Sequence, residues 1–270
     1  MDVLIVGAGS MGTWFGSAVD TAVAYTDVDP DAAAKAAEAT DGRVADLEEE
    51  SGYDAVCLAV PMDHVADAIA EHAPRAERAI LDVSGVMEDP LEAMDAHASD
   101  RERVSLHPLF APERAPGTVA VVREERGPVT AALIEDLVVA GNDLLETTVD
   151  EHDEAMETIQ ASTHAAILSF ALAAKSVPEG FETPVYDGLR DLTRTVTNGT
   201  PHVYGEIQRT FDGAEAVADA AATIAEAEGE EFEQLYEHAA ERWHEDERAN
   251  SAGNGSTGSA LDDNERGDLR

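Results

Sequence analysis

Residues 1–12 read Met-Asp-Val-Leu-Ile-Val-Gly-Ala-Gly-Ser-Met-Gly, and this glycine-rich start indicates the fold. Val3–Val6 is a short apolar run that predicts a buried strand, and Gly7, Gly9 and Gly12 follow it at GxGxxG spacing. The first glycine permits a tight turn, the second lets a pyrophosphate approach the backbone, and the third lets the next helix pack close to the strand. The stretch therefore predicts a dinucleotide-binding loop, with free helix N–H groups facing the phosphates.

A second predicted strand, Ala22–Thr26, ends at Asp27, twenty residues after Gly7. An acidic side chain at this place accepts hydrogen bonds from the ribose hydroxyls of NAD and repels the 2′-phosphate of NADP. We therefore expect NAD as the cofactor, and Asp29 is the alternative acidic residue for this role. The predicted cofactor-binding residues are Gly7, Gly9, Ser10, Met11, Gly12 and Asp27, with Val60 and Pro61 at the end of the third predicted strand.

The charge balance of the 270-residue chain is extreme, with 57 acidic residues against 17 Lys and Arg and a formal net charge of -40. A hydrophobic content of 44% argues against disorder, so the composition predicts a cytoplasmic protein adapted to molar salt, where the charges are screened. Such a negative surface disfavours nucleic acid and anionic membranes as partners. An anionic substrate would need arginines placed beside it.

Cysteine usage and hydropathy restrict the chain further. Cys57 is the single cysteine, which leaves no disulfide framework, and the histidines show no metal-binding spacing, so we expect no metal. No stretch approaches the roughly 20 apolar residues of a membrane span, and the amino terminus lacks the features of a signal peptide. These observations favour a cytoplasmic location.

The first part of the chain alternates strand-like and helix-like segments. The predicted strands are Val3–Val6, Ala22–Thr26, Ala55–Val60, Ala79–Val83, Arg103–Leu106, Thr118–Val122 and Asp143–Thr147. Strands joined by crossover helices indicate an α/β fold, a Rossmann-like doubly wound parallel sheet, which Thr118–Val122 extends in a different direction. We assign this domain to residues 1–148.

After Asp150 the pattern becomes helical. The predicted helices are Glu151–Ala174, Val185–Val196, His202–Phe211, Ala214–Ala227 and Glu231–Glu245. Residues 149–247 are therefore assigned to an all-helical second domain. Residues 248–270 are rich in Gly, Ser, Asn and Asp, and we expect a disordered acidic tail there.

The carboxyl ends of the predicted strands carry the residues suited to chemistry. A doubly wound fold places its active site in the crevice beyond these ends. Ser105-Leu106-His107-Pro108 closes the fifth strand, and Asp82-Val83-Ser84-Gly85 closes the fourth. An imidazole exchanges protons near neutrality, and a following proline holds it rigidly, so His107 is the candidate general acid–base.

Together these motifs resemble the prephenate dehydrogenase family. The resemblance rests on the GxGxMG loop, the proline after the third strand, His-Pro-Leu-Phe at 107–110, the pair Gln160 and His164, and Thr193-Arg194, and it covers about 245 residues. It implies NAD-dependent oxidative decarboxylation of prephenate to 4-hydroxyphenylpyruvate, on the way to tyrosine, by a homodimer formed through the helical domain.

The resemblance also implies roles for single residues. His107 accepts the proton of the ring hydroxyl, and Arg194 binds a substrate carboxylate, for which a planar guanidinium fork is well suited. His164 lies near the substrate, and Asp191 orients it or pairs with Arg194.

The chain departs from the family at two places. The family shows Asp-x-x-Ser-x-Lys after the fourth strand, whereas here Gly85 and Met87 replace the serine and the lysine. Ser84, one place earlier, is the candidate for the missing hydroxyl. The chain also has one residue more than expected between Arg194 and Pro201, which predicts an altered loop.

Several alternatives remain open. Arogenate, whose side chain carries an ammonium group, would undergo the same chemistry. Another two-domain NAD(P)-dependent reductase is disfavoured by the His-Pro-Leu-Phe segment. The third alternative is a nucleotide-sensing protein without catalysis, which the missing serine and lysine keep in consideration.

Overall fold

A computed structural model describes residues 1–46 and 52–253, and within these ranges the chain forms one eight-stranded sheet flanked and followed by helices. The strands are β1 (Asp2–Val6), β2 (Ala22–Thr26), β3 (Arg43–Val44), β4 (Tyr53–Leu58), β5 (Ala76–Asp82), β6 (Glu102–Pro108), β7 (Thr118–Glu125) and β8 (Asp143–Glu146). The α-helices are α1 (Ser10–Ala18), α2 (Pro30–Ala39), α3 (Val65–His72), α4 (Glu88–Ala98), α5 (Pro128–Val139), α6 (Val149–Met156), α7 (Thr163–Ala173), α8 (Pro184–Thr197), α9 (Pro201–Thr210), α10 (Gly213–Glu226) and α11 (Glu230–Gly253).

The sheet confirms the predicted doubly wound α/β fold. Its strand order is β3-β2-β1-β4-β5-β6-β7-β8, and all neighbours pair in parallel except β6 and β7. The strand over Thr118–Glu125 thus runs in the opposite direction to β6, as the sequence predicts. The chain passes from β1 outward in both directions along the sheet. The carboxyl ends of β1 and β4, where this reversal occurs, are where sheets of this kind bind their ligands.

Both faces of the sheet are buried. Along β1, Val3 and Ile5 belong to one hydrophobic cluster, whereas Leu4 and Val6 belong to another, because successive side chains point to opposite faces. A parallel strand covered by helices on both sides is accordingly apolar at every position. This rigid core holds the carboxyl ends of β1, β2 and β4 in fixed positions.

The long helix predicted over Glu151–Ala174 is interrupted by a wide turn. A capping box between Thr148 and Glu151 starts α6 at Val149, and residues Glu157–Ser162 then form a π-helical segment before α7. The side chain of Gln208 donates a hydrogen bond to the carbonyl of Ala161 within that segment, with 3.0 Å between the atoms. Such π segments are frequent at functional sites.

The chain divides into two compact units, Met1–Ala214 and Glu215–Arg270. The predicted boundary at residue 148 lies elsewhere, where the chain changes from α/β to purely helical structure at Val149. The domain ranges 1–148 and 149–247 therefore stay a prediction. Of the predicted tail, residues 248–253 lie at the end of α11, and residues 254–270 lie outside the described residues. No described helix combines the length and apolar character that a bilayer span requires.

Candidate active site

The glycine loop between β1 and α1 is built by close backbone contacts. Gly7 has a φ of +96°, and a Cβ there would lie 2.3 Å from the carbonyl oxygen of Ala59. A Cβ at Gly12 would lie 2.0 Å from the carbonyl oxygen of Gly7. Neither position accepts a side chain unless the backbone moves. These two glycines therefore allow the turn, the end of β4 and the start of α1 to pack closely together.

The same loop leaves room for an anion. A Cβ at Gly9 would meet no atom within 4 Å, and α1 begins at Ser10 with neither a side-chain cap nor an acidic residue in its first turn. Met11 is half-buried and packs against the core. The first backbone N–H groups of the helix are thus left for a negatively charged ligand, which fits the pyrophosphate of a dinucleotide.

Two aspartates after β2 have different partners. Asp27 Oδ2 accepts a hydrogen bond from the backbone N–H of Ala8 at 2.7 Å, and its Oδ1 accepts one from the N–H of Asp29 at 2.8 Å. Asp29 instead caps α2 by accepting from the N–H of Asp31 at 3.0 Å. The structure therefore places Asp27 at the glycine loop, and ribose binding by Asp27 stays a prediction.

Val60 and Pro61 follow β4 at the same edge of the sheet. Val60 is half-buried and Pro61 is exposed, and a short 3-10 turn over Met62–His64 continues the chain. Since the preceding Ala59 lies against Gly7, this segment borders the glycine loop. Contact of Val60 and Pro61 with the cofactor stays a prediction.

His107 lies buried near the carboxyl end of β6, where β5 and β7 flank it. Its Nδ1 is 2.8 Å from Nε2 of His152, and its Nε2 is 3.4 Å from Nε2 of Gln160. Burial, followed by the neighbouring His152, lowers the pKa of His107 to about 3. The imidazole is therefore neutral near pH 7 and has a lone pair with which to accept a proton.

The hydroxyl of Ser84 forms its hydrogen bonds within the turn that follows β5. Ser84 Oγ lies 2.5 Å from Oδ2 of Asp82 and 3.0 Å from the carbonyl oxygen of Val86. Asp82 Oδ2 also accepts from the backbone N–H of Ser84 at 3.0 Å. Burial raises the pKa of Asp82 to about 6, because it outweighs the hydrogen bonds from Ser84. In this geometry Ser84 stabilises the turn after β5. Its catalytic role stays a prediction, which none of these hydrogen bonds supports.

Gly85 occupies the place beside the imidazole. A Cβ there would lie 3.7 Å from Nε2 of His107 and 2.9 Å from Sδ of Met62. Met87, which stands in place of the family lysine, is fully buried and packs among apolar residues that include Leu91. The departure from the family pattern thus puts a glycine next to the base and a core residue where a cation would otherwise stand.

The amide of Gln160 lies in the π-helical segment and faces His107. Its Nε2 is the atom that approaches the imidazole, whereas its Oε1 is buried and has no hydrogen-bond partner among the described residues. A buried carbonyl oxygen without a donor is costly, which makes this oxygen a candidate acceptor for a ligand.

The predicted substrate-binding residues form two smaller groups. Arg194 and Asp191 form an ion pair of 3.1 Å on α8, and both side chains are largely exposed. His164 on α7 packs edge-to-face against Tyr204, with 4.6 Å between the ring centroids, and its buried Nδ1 has no partner within the described chain. Burial lowers the pKa of His164. Asp191 therefore pairs with Arg194, one of the two arrangements that the sequence left open.

Two residues of the site were missed from the sequence. His152 and Asp153 lie on α6, where His152 Nδ1 is 2.6 Å from Oδ1 of Asp153. The available signal was an adjacent histidine and aspartate in the first helix after the last strand. Because His152 meets His107 across 45 residues of sequence, no local pattern connects the two.

The described residues contain no cluster of three or more groups placed to hold a metal ion.

Known proteins of one family match the chain in sequence. The family model described as prephenate dehydrogenase, nucleotide-binding domain, matches residues 17–124. The 4-amino-4-deoxyprephenate dehydrogenase of Streptomyces pristinaespiralis is 31% identical over 242 residues, which cover 81% of this chain and 80% of that relative.

Solved structures share the fold. Prephenate dehydrogenase from A. aeolicus, in complex with hydroxyphenyl propionate and NAD+, has a TM-score of 0.67 and 18% identity, and the match covers 90% of this chain and 98% of that one. Synechocystis arogenate dehydrogenase has a TM-score of 0.60 and 18% identity, over 91% of this chain and 99% of that one.

Proposed function

The chain belongs to the prephenate dehydrogenase family and is an NAD-dependent oxidoreductase, and we propose that it converts prephenate to 4-hydroxyphenylpyruvate by oxidative decarboxylation. The buried, neutral imidazole of His107 at the carboxyl end of β6 is the observation that supports this most directly. A nucleotide sensor would have no need of such a base. The intact His107 site therefore disfavours the non-catalytic alternative.

The residues present fit a dinucleotide. Gly9 leaves open space before α1, the first turn of α1 carries no acidic group, and Asp27 lies beside the loop. We assign the pyrophosphate to the loop and the ribose hydroxyls to Asp27. When bound, NAD would supply the acceptor for the hydride that leaves C4 of the substrate ring.

His107 moves a proton in the reaction. Its Nε2 takes the proton of the 4-hydroxyl group as the C4–H bond breaks and the carbonyl bond at C4 forms. Loss of the ring carboxylate as CO2 returns an electron pair to the ring, which becomes aromatic with a phenolate oxygen. His107 then gives its proton to that oxygen, and the reaction therefore releases no net proton.

Arg194 is assigned to a substrate carboxylate. A guanidinium can donate two parallel hydrogen bonds to a carboxylate, and Asp191 holds this guanidinium from one side at 3.1 Å. His164 offers a buried Nδ1 without a partner in the described chain, which suits a second polar contact with substrate. In a chain with a net charge of -40, such local donors are required to hold a dianionic substrate.

A second candidate substrate is 4-amino-4-deoxyprephenate, on which the Streptomyces relative is named as acting. Its 4-amino group carries two N–H donors, whereas the 4-hydroxyl of prephenate carries one. The buried Oε1 of Gln160 is an unused acceptor next to His107, and it could receive the second N–H. Arogenate is the third candidate, and it differs from prephenate in the side chain.

The experiment is a spectrophotometric assay of NADH formation in molar KCl with each of the three substrates, offered with NAD or NADP. We expect turnover with prephenate, and matched reactions with His107→Asn serve as the control. A kcat/KM for 4-amino-4-deoxyprephenate well above that for prephenate would transfer the assignment to the second candidate. No turnover with any of the three would contradict the proposed function.

We also propose a cytoplasmic homodimer adapted to high salt. The net charge of -40 supports the salt adaptation, because the Debye length grows from about 3 Å at 1 M to about 30 Å at 0.01 M and exposes the charges to mutual repulsion. Melting followed by circular dichroism tests this, since we expect a lower Tm in dilute buffer than in molar KCl. An equal Tm in both would contradict it.

A further inference from the structure

Three side chains form a hydrogen-bonded row that ends at the candidate base. His107 Nδ1 lies 2.8 Å from His152 Nε2, and His152 Nδ1 lies 2.6 Å from Asp153 Oδ1. Both imidazoles are buried, with His107 7% exposed and His152 3% exposed. The row connects the sheet to α6 and is shielded from water over its central part.

With His152 neutral, the carboxylate at the end of the row determines where each proton of the row lies. An ionised carboxylate can only accept, so Nδ1 of His152 carries a proton and Nε2 of His152, in the neutral ring, carries a lone pair. That lone pair must accept the Nδ1–H of His107. The Nε2 of His107 is then left with a lone pair, on the side where Gly85 and Gln160 lie.

The start of α4 holds the carboxylate in this state. Oδ1 of Asp153 accepts from the backbone N–H of Met87, and Oδ2 accepts from that of Glu88, each at 3.3 Å. These N–H groups belong to the N-cap residue and the first residue of α4, where the helix dipole favours a negative charge. Asp153 is thus fixed at both oxygens while one of them receives the proton of His152.

We propose that His152 and Asp153 are positioning residues that hold His107 as the tautomer with the lone pair on Nε2, the atom that the Gln160 amide nitrogen approaches. Asp153 also stabilises the imidazolium that forms when His107 takes the substrate proton, because the negative charge of the carboxylate at the end of the row lies close to that buried cation. This second half of the proposal rests on the proposed function. The tautomer does not, and it can be measured without substrate.

The test combines imidazole ¹⁵N NMR with steady-state kinetics on the full-length protein. The His107 resonances are assigned by their loss in His107→Asn. We expect wild-type His107 to show a protonated Nδ1 and an unprotonated Nε2. In Asp153→Asn, the amide can donate to His152 instead, so we expect the opposite or a mixed tautomer, and kcat lower on the order of 10²-fold with little change in KM. Glu154→Gln, at an exposed position of the same helix, is the matched control.

A second pair of variants separates positioning from packing. His152→Gln keeps an acceptor for the Nδ1–H of His107, whereas His152→Met fills the space without a comparable acceptor. We expect the glutamine variant to keep the wild-type tautomer and the larger share of kcat. This pair also decides the question if Asp153→Asn does not fold.

The outcomes distinguish this proposal from the proposed function. An unchanged His107 tautomer in the methionine variant, with kcat equal to that of the glutamine variant, would overturn the positioning role. Tautomers that respond as expected in a protein without turnover on any of the three substrates would support the row and contradict the proposed function instead.

Discussion

The carboxylate of Asp27 accepts a hydrogen bond from the backbone N–H of Ala8, with 2.7 Å between Oδ2 and N. This bond joins the carboxyl end of β2 to the glycine loop that follows β1. It holds the carboxylate beside the glycine loop and leaves further lone pairs on it, to which we assign the ribose hydroxyls of the cofactor.

Cofactor preference tests the role of Asp27. We expect higher kcat/KM with NAD than with NADP, because a 2′-phosphate would meet this carboxylate. Asp27→Asn should raise the NADP-to-NAD ratio by about tenfold, roughly 1.4 kcal/mol. Asp29→Asn is the control, since Asp29 caps α2, and it should leave the ratio unchanged. Equal efficiency of the wild-type protein with both cofactors would rule out the assignment.

The apolar helix α7 supports a dimer. Within its described residues, Ala165 and Ile167 are the buried ones, whereas Leu172 is 90% exposed. An exposed leucine on so apolar a helix suggests that a second copy covers it. We expect light scattering in molar KCl to give twice 28.6 kDa.

Substitution of Leu172 tests the same surface. Leu172→Asn should weaken the dimer, whereas Val139→Asn, at an 81% exposed position at the end of α5, should not. A wild-type mass near 28.6 kDa would contradict the dimer.

We expect substitution of Ser84 to affect the free energy of unfolding more than the turnover rate. Its hydroxyl is bonded to the buried Asp82, so Ser84→Ala removes a partner from a buried carboxyl group. We expect a loss of about 1–3 kcal/mol in the free energy of unfolding, measured by denaturant titration in molar KCl, and a turnover rate within a few-fold of wild type. If turnover instead fell by about 10²-fold or more at full stability, the Ser84 hydroxyl would belong to the reaction.

Arg194 is expected to act in substrate binding. Arg194→Gln should raise KM for prephenate steeply and leave NAD binding intact, because a carboxylate clamp acts on the ground state and the transition state alike. Arg190→Gln is a matched control, since Arg190 forms a comparable ion pair with Asp187 on the same helix. An unchanged KM in Arg194→Gln would remove Arg194 from the site.

Local pattern was sufficient for the parallel sheet and the glycine loop. Buried strands such as Val3–Val6 are apolar at each position, and the close contacts of Gly7 and Gly12 exclude other residues, so both features are visible in the sequence. The two-residue strand β3 was missed, because so short and exposed a segment has no periodicity. The wide turn at Glu157–Ser162 was also missed, since its side chains continue a helical pattern.

The interior of the site could be predicted only in part. His107 was identifiable because a histidine before a proline ends a predicted strand. Its partner His152 depends on how α6 packs against the sheet, which local sequence does not encode. The orientation of the Ser84 hydroxyl likewise depends on its hydrogen bond to Asp82. That Gly85 is the residue beside the imidazole of His107 is visible only in the folded turn.

Turnover of the His107→Asn variant is the decisive measurement for the proposed reaction. With prephenate and NAD saturating in molar KCl, and with folding and NAD binding verified, we expect kcat to fall by about 10²–10⁴-fold and KM to change little, because the imidazole acts as charge develops in the transition state. A turnover rate close to that of the wild-type protein would contradict the assignment of His107 as the base.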